Sequence, residues 1–347
     1  MQSMGRSVRI PVRASVASGV VAARFAPVWL ATAALAIIAA FIAPNALKST
    51  SWAGYVLPYA TVLAIASLGQ MLVIMNAGID LSTPGVIALG GNLIAGIGAG
   101  SDHNLAPAIV ACLGFGIVVG LVNGLFVGIL RLNPLIVTLA VGQIVLAWST
   151  KYSREHVVTH SQVPSALSSW AYEKPLGLSY VFWTGAALTL AVALLLRYSA
   201  PGRRFQAVGA NPRAAWMAGL HVRTHVVVAY TTAGFLYACA ATLFAGIRIN
   251  IDPAFGTDYL LAPIAAVVIA GAALSGGLAS ATSTWIAALA LTLLPFMLRV
   301  LGLKTAMQFV VFGAAIIVGM MISGDRVATL FGRILRPMEA RSAARVE

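Results

Sequence analysis

Ten apolar stretches of this sequence contain no Asp, Glu, Lys or Arg: 26–44, 52–75, 84–100, 106–130, 134–150, 178–196, 224–247, 260–274, 280–298 and 305–323. A helix crossing the hydrocarbon core needs about 20 apolar residues, with about 17 as a working minimum. Nine stretches qualify. The exception, 260–274, can be extended by Tyr259 and borders the uncharged 275–279. Only 9% of the chain is charged, against about 25% in a typical soluble domain, so it cannot clothe a water-facing surface of this size. That excludes a cytosolic enzyme, a disordered protein and a disulfide-stapled secreted module. Cys112 and Cys239 both lie inside apolar runs and report nothing about redox compartment. The expected fold is an all-α, polytopic transmembrane bundle of about ten spans.

Net charge is +13, which in a soluble protein would hint at nucleic acid. In a membrane protein the question is which side holds the cations. Ten spans put both termini together with Arg131 and the loop 197–223. That side then carries Arg6, Arg9, Arg13, Arg24, Arg131, Arg197, Arg203, Arg204, Arg213, Arg223, Arg326, Arg333, Arg336, Arg341 and Arg345. The other side holds Lys48, Lys151, Arg154, Lys174, Arg248, Arg299 and Lys304. The bias predicts cytoplasmic termini. The chain divides into a basic N-terminal tail (1–25), a membrane domain (26–323) with a cytoplasmic loop at 197–223, and a basic C-terminal tail (324–347). Basic residues before an apolar run also fit a signal peptide, but 26–43 exceeds the usual apolar region of about 7–15 residues and reads as a first span.

Several local patterns carry more. Gly116, Gly120, Gly124 and Gly128 recur every fourth residue and line one helix face, a small-residue seam where another helix can approach closely. A weak internal repeat is legible: spans two to five begin near 52 and seven to ten near 224, with Leu81-Ser82-Thr83-Pro84 and Leu260-Leu261-Ala262-Pro263 each leading into an apolar helix. Asp80 is a lone carboxylate between two spans, in a proline- and glycine-flanked stretch that disfavours regular helix and predicts a broken or re-entrant segment near 76–90. It is either an intramembrane pathway acid or a cap for the helix starting near Ser82–Pro84. In the loop 197–223, Asn211 can cap, Pro212 suits the first helical position and Gly219 the left-handed residue beyond the end. The predicted helix, of about seven residues, is too short to be stable alone. Trp216 and Met217 offer it apolar knobs, either for a cytoplasmic subunit or for the membrane face.

The runs GIDLS at 78–82, ALGG at 88–91, NPLIVTL at 133–139, GRRFQAVGANPRAAWMAGLHV at 202–222 and APIAAVVIAGAALSGG at 262–277 are similar to the membrane permease of ribose/xylose/galactose-type ABC importers. The resemblance spans roughly 50–320. It implies a bacterial inner-membrane subunit that pairs with a second permease copy, docks on cytoplasmic ATP-binding subunits and receives sugar from a periplasmic binding protein. ATP and Mg would then be bound by the partner subunits, with no cofactor in this chain. It assigns Gly202, Arg203, Ala207, Gly209, Asn211, Ala214, Ala215 and Gly219 to the ATPase-contacting loop, and Gly78, Ile79, Asp80, Leu81 and Ser82 to a second signature. Two departures stand out: Ala77 replaces a usual glycine, and Thr83-Pro84 stands where a Val-Gly type pair is common.

No GxxxxGK[ST] occurs, so the chain has no phosphate-cradling loop of its own and reads as a transport subunit and not an enzyme. A neutral sugar suits a pathway lined by uncharged polar groups, for which Gln70, Asn76, Asn92, Asn123 and Gln143 are candidates. The segment 151–177, with Trp170, Tyr172, Glu173 and Lys174, reads as a seat for the binding protein. His156 and His160 have a ligand-like i,i+4 spacing but no third ligand, and no metal site is assigned. The alternatives are a self-contained ion-coupled carrier, or the same importer class carrying a polyol, nucleoside or signalling furanose.

Overall fold

Seven of the apolar stretches become helices long and apolar enough to cross a membrane, and three shorter apolar helices complete the ten. The computed structural model describes residues 14–42, 44, 52–157, 162–248, 251 and 256–322. Helix α1 (Ala14–Ile42) begins inside the expected N-terminal tail and donates from the Trp29 indole to Ser283 Oγ at 3.2 Å. The rest of that tail, His160 and the tail 324–347 lie outside the described residues. Helix α2 (Leu57–Met75), entered through a π-helical turn at Trp52–Val56, is buried along almost its whole length. It is apolar all round because it touches protein on every side.

Next come α3 (Thr83–Gly98), α4 (Leu105–Gly124, ending in a π-helical turn Leu125–Ile129) and α5 (Pro134–His156). The short α6 (Ser165–Tyr172) precedes α7 (Tyr180–Tyr198). The loop 197–223 holds two helices, α8 (Ala200–Ala210) and α9 (Pro212–Met217); only the second was expected. Then follow α10 (Val222–Ile247), α11 (Ala262–Ile269), α12 (Ala281–Val300) and α13 (Thr305–Ile322).

The stretch 260–274 is not one continuous span. Helix α11 has eight residues, about 12 Å at about 1.5 Å per residue. It gives way to an irregular stretch in which Gly271, Gly276 and Gly277 all have positive φ (100°, 94° and 109°). L side chains rarely tolerate that conformation, which is why these positions are glycine.

The internal repeat is visible in the packing. Helix α10 packs on α4 as α2 packs on α12, and α10 on α3 as α2 on α11. Helix α3 lies against α4 and α5, as α11 does against α12 and α13. Helices α2 and α10 are antiparallel: Tyr59 near the start of α2 meets Phe244 near the end of α10, and Gly78 just past α2 lies by Tyr230 near the start of α10. The halves are therefore inverted copies, so that each half's broken segment packs against the first long helix of the other, α3 on α10 and α11 on α2.

The glycine stripe on α4 faces α10. A methyl group at Gly116 or Gly120 would meet the carbonyl oxygens of Gly234 or Tyr230, and at Gly124 or Gly128 those of Val227 (2.8 Å) or Arg223 (2.9 Å). Gly114 on the same helix has nothing near it. Gly120→Val should therefore cost about 1–3 kcal/mol of stability through overpacking against main chain. Gly114→Val should lack that packing cost. Thermal melting of the detergent-solubilised chain checks this; equal losses would contradict the seam.

Candidate polar core and loop helix

The backbone leaves helical geometry at Asn76 and regains it at Thr83. Asn76 caps α2, its Nδ2 donating to the Leu72 carbonyl at 3.2 Å. Ala77 follows with φ 57°, in the left-handed region where an L side chain is strained. The glycine expected there would relieve that strain. Gly78 must lack a side chain because a methyl there would sit 2.5 Å from the Tyr230 hydroxyl oxygen.

From Ile79 to Ser82 the segment is held by side chains from three helices. The Gln70 amide of α2 lies against Asp80's own peptide groups. In the orientation that satisfies both, its nitrogen donates to the Asp80 carbonyl and to the Tyr237 hydroxyl, each at 3.0 Å, while its oxygen accepts from the Asp80 N–H at 3.1 Å. Leu81 N–H donates to Thr138 Oγ1 of α5 at 2.9 Å. Asn123 Nδ2 of α4 donates to Ser82 Oγ at 2.9 Å. Asp80 is 1% exposed. Its Oδ1 accepts from Ser82 N–H (2.9 Å) and Ser82 Oγ–H (2.6 Å), while Oδ2 has no partner among the described residues. The carboxylate thus braces the turn that enters α3 from a buried position. Asn123 Oδ1 is likewise unpartnered.

Of the five uncharged pathway candidates, Gln70 and Asn123 meet at this segment. Asn92 is bonded to Ser149 Oγ further along α3 (2.8 Å), Asn76 caps, and Gln143 lies on the exposed face of α5, apart from the rest. Sequence reasoning missed Thr138, Tyr230 and Tyr237, because each comes from a helix remote in sequence.

The loop residues have mostly local explanations. Ser199 Oγ caps α8 through Gly202 N–H at 2.9 Å, and a methyl on Gly202 would meet the Leu195 carbonyl. Arg203 donates to the Tyr198 carbonyl at 2.8 Å. Asn211 Oδ1 accepts from Ala214 N–H at 3.0 Å, capping α9, and Gly219 ends the turn with φ 81°. Ala207 and Ala214 are exposed, whereas Ala215 is buried, so a charge there would disturb α9 itself. Trp216 and Met217 stand out, 68% and 78% exposed. Gly209 touches the Met75 carbonyl, to which Gly277 N–H also donates at 3.0 Å. The end of α8, the end of α2 and the turn after α11 therefore meet at one main-chain junction.

On the opposite end, the segment 151–177 is largely structured. Asp102 accepts from Ala166 N–H (2.8 Å) at the start of α6, Tyr172 donates to the Ile247 carbonyl (3.0 Å), and Trp170 stacks on Tyr180. Glu173 and Lys174 are exposed, and His156 stacks on Tyr152.

The family model described as branched-chain amino acid transport system / permease component matches residues 52–320. The ribose import permease protein RbsC of Escherichia coli (strain K12) is 30% identical over 273 residues, 78% of this chain and 85% of that protein. The fructose import permease protein FrcC of Rhizobium meliloti is 30% identical over 274 residues, 77% of this chain and 76% of that protein. The autoinducer 2 import system permease protein LsrC of Salmonella paratyphi B (strain ATCC BAA-1250 / SPB7) is 28% identical over 317 residues, 88% of each. No solved structure matches. The chain belongs to this family of multi-pass transport permeases.

Two substitutions test the braced segment. Gln70→Met keeps volume but leaves the Asp80 peptide groups unpaired, which should cost about 1–3 kcal/mol. Ala77→Gly should gain about 0.5–1 kcal/mol, the left-handed strain less the glycine's extra unfolded freedom. Thermal melting reads both; an unaltered Gln70→Met would remove the brace from the account.

Proposed function

We propose that this chain is the membrane subunit of an importer that moves a sugar delivered by a periplasmic binding protein, driven by separate ATP-hydrolysing subunits. Two copies would form the conduit in a bacterial inner membrane, with both termini and the loop 197–223 on the cytoplasmic side. The observation that carries the coupling half of this reading is α9: a six-residue helix, capped by Asn211, that presents two large apolar side chains outward. A helix of this length needs a partner surface to hold it in place. An exposed Trp beside an exposed Met is an anchor of the kind that dominates protein interfaces.

ATP binding would draw the partner subunits together and carry α9 with them. Because Gly209 abuts Met75 and the turn at Gly277, that displacement would reach both broken segments of the bundle. The gain comes from unequal docking energies of the inward- and outward-open states, since a partner shifts an equilibrium only by its differential affinity. A neutral, hydroxylated solute suits the uncharged groups around 78–82, where Asn123 Oδ1 retains acceptor capacity. ATP and Mg would be held by the partners. Three relatives named for three solutes support leaving discrimination to the binding protein. The structured segment around α6 would seat that protein.

In vesicles holding the chain, its ATPase subunits and the binding protein, uptake of labelled ribose, the probe solute, should require all three. Trp216→Ala with Met217→Ala should lower uptake about ten-fold or more, with insertion and melting unchanged. Full uptake without the ATPase subunits, or undiminished uptake by the double variant, would defeat the reading.

A further inference from the structure

Between the end of α2, the α4–α5 link and the α9–α10 connection lies a cavity of about 730 Å³. Arg131, Arg213, Arg223 and His221 line it, and among the described residues no acidic side chain does. Three exposed arginines around one half-open cleft concentrate positive potential and favour an anion. Phosphate oxygens suit guanidinium best, because the planar fork of donors matches them two at a time.

Asn76 and Tyr230 contribute to the wall as well, with the Tyr230 hydroxyl and Asn76 Oδ1 buried behind it, so the charged lining is what a ligand meets. The flank is apolar: Leu130, Leu132 and Ile136, beside Arg131 in the chain, are 59%, 47% and 69% exposed, and Val127, Ile129 and Val226 line the cavity itself. A soluble phosphate would use the arginines and ignore that flank.

We infer that this cavity binds the headgroup of an anionic glycerophospholipid. The phosphate lies among Arg131, Arg213 and Arg223, and the acyl chains run along Leu130, Leu132 and Ile136. Basic pockets between helices at a membrane surface bind acidic headgroups on the same physical grounds. The inference stands on the cavity and needs no docking by α9.

The full-length chain, stripped of lipid in mild detergent, is offered phosphatidylglycerol or phosphatidylcholine with identical acyl chains, and bound lipid is read by native mass spectrometry. Phosphatidylglycerol should be retained about ten-fold over phosphatidylcholine. Arg131→Gln and Arg223→Gln, both outside α9, should each lower its retention about five-fold, and together about thirty-fold. Arg154→Gln, at the other end of the bundle, should change nothing. Arg131→Lys with Arg223→Lys should restore most of the binding, which separates lost charge from lost fold. Equal retention of the two lipids, or wild-type retention by the double glutamine variant, would overturn the proposal. Release of phosphatidylglycerol by equimolar inorganic phosphate would overturn it in favour of a soluble-anion site. Its expulsion on adding the ATPase subunits would overturn it in favour of an acidic protein segment.

Discussion

A peptide group placed inside hydrocarbon has no water to bond, so any backbone that leaves helical geometry there must find its partners within the protein. This chain breaks helix between Asn76 and Ser82 and again after Ile269. The rest of the bundle is arranged around those two interruptions. Helix α2 gives up its lipid contact and is enclosed, because it carries Gln70 to the first break and the Met75 carbonyl to the second. Helices α4, α5 and α10 close around the first break with Asn123, Thr138, Tyr230 and Tyr237.

The close approach of α4 and α10 follows from the same demand. Asn123 can reach Ser82 only if α4 lies tight against the core, and the glycine stripe is what permits main chain to meet main chain there. Two inverted halves make this economical: each supplies one interrupted helix and one long helix that packs against the other's interruption.

What was legible in the sequence was whatever a local rule decides. Apolar length gave the spans, four-residue glycine spacing gave the seam, and Asn211, Pro212 and Gly219 gave the bounds of α9 to within a residue. The proline after Asp80 showed that helix stops there. What was not legible depends on partners far apart in the chain. In the sequence Gln70 is only an uncharged polar residue; that its amide pairs with a peptide group ten residues on follows from the turn of the chain. Gln143 satisfied the same criterion and faces outward, since helical phase, which the criterion ignored, decides exposure. Helix α8 escaped notice because its arginines and glycines are indifferent helix formers, and its stability rests on Ser199 capping Gly202 and on Phe205 and Val208 packing inward. The expected span at 260–274 is helical only over Ala262–Ile269, for the converse reason. Hydropathy reports a desire to avoid water, which an irregular segment shielded by protein satisfies as well as a helix does.

The junction of Met75, Gly209 and Gly277 joins these threads. Its contacts are between main-chain atoms, with no side chain between them whose rotamer could absorb a displacement. Gly209 is separated from α9 by only Ala210 and Asn211, and Asn211 is itself fixed as the cap. A displacement of α9 carried rigidly into α8 would therefore bear on the end of α2 and on the turn after α11, beside the two broken segments. Helices resist bending along their hydrogen-bonded length, whereas the irregular residues beside this junction can change torsion by giving up a few bracing side-chain bonds. Any motion that enters through the loop is thus channelled into the two breaks by geometry, and the side chains that brace the first break set how much force it takes.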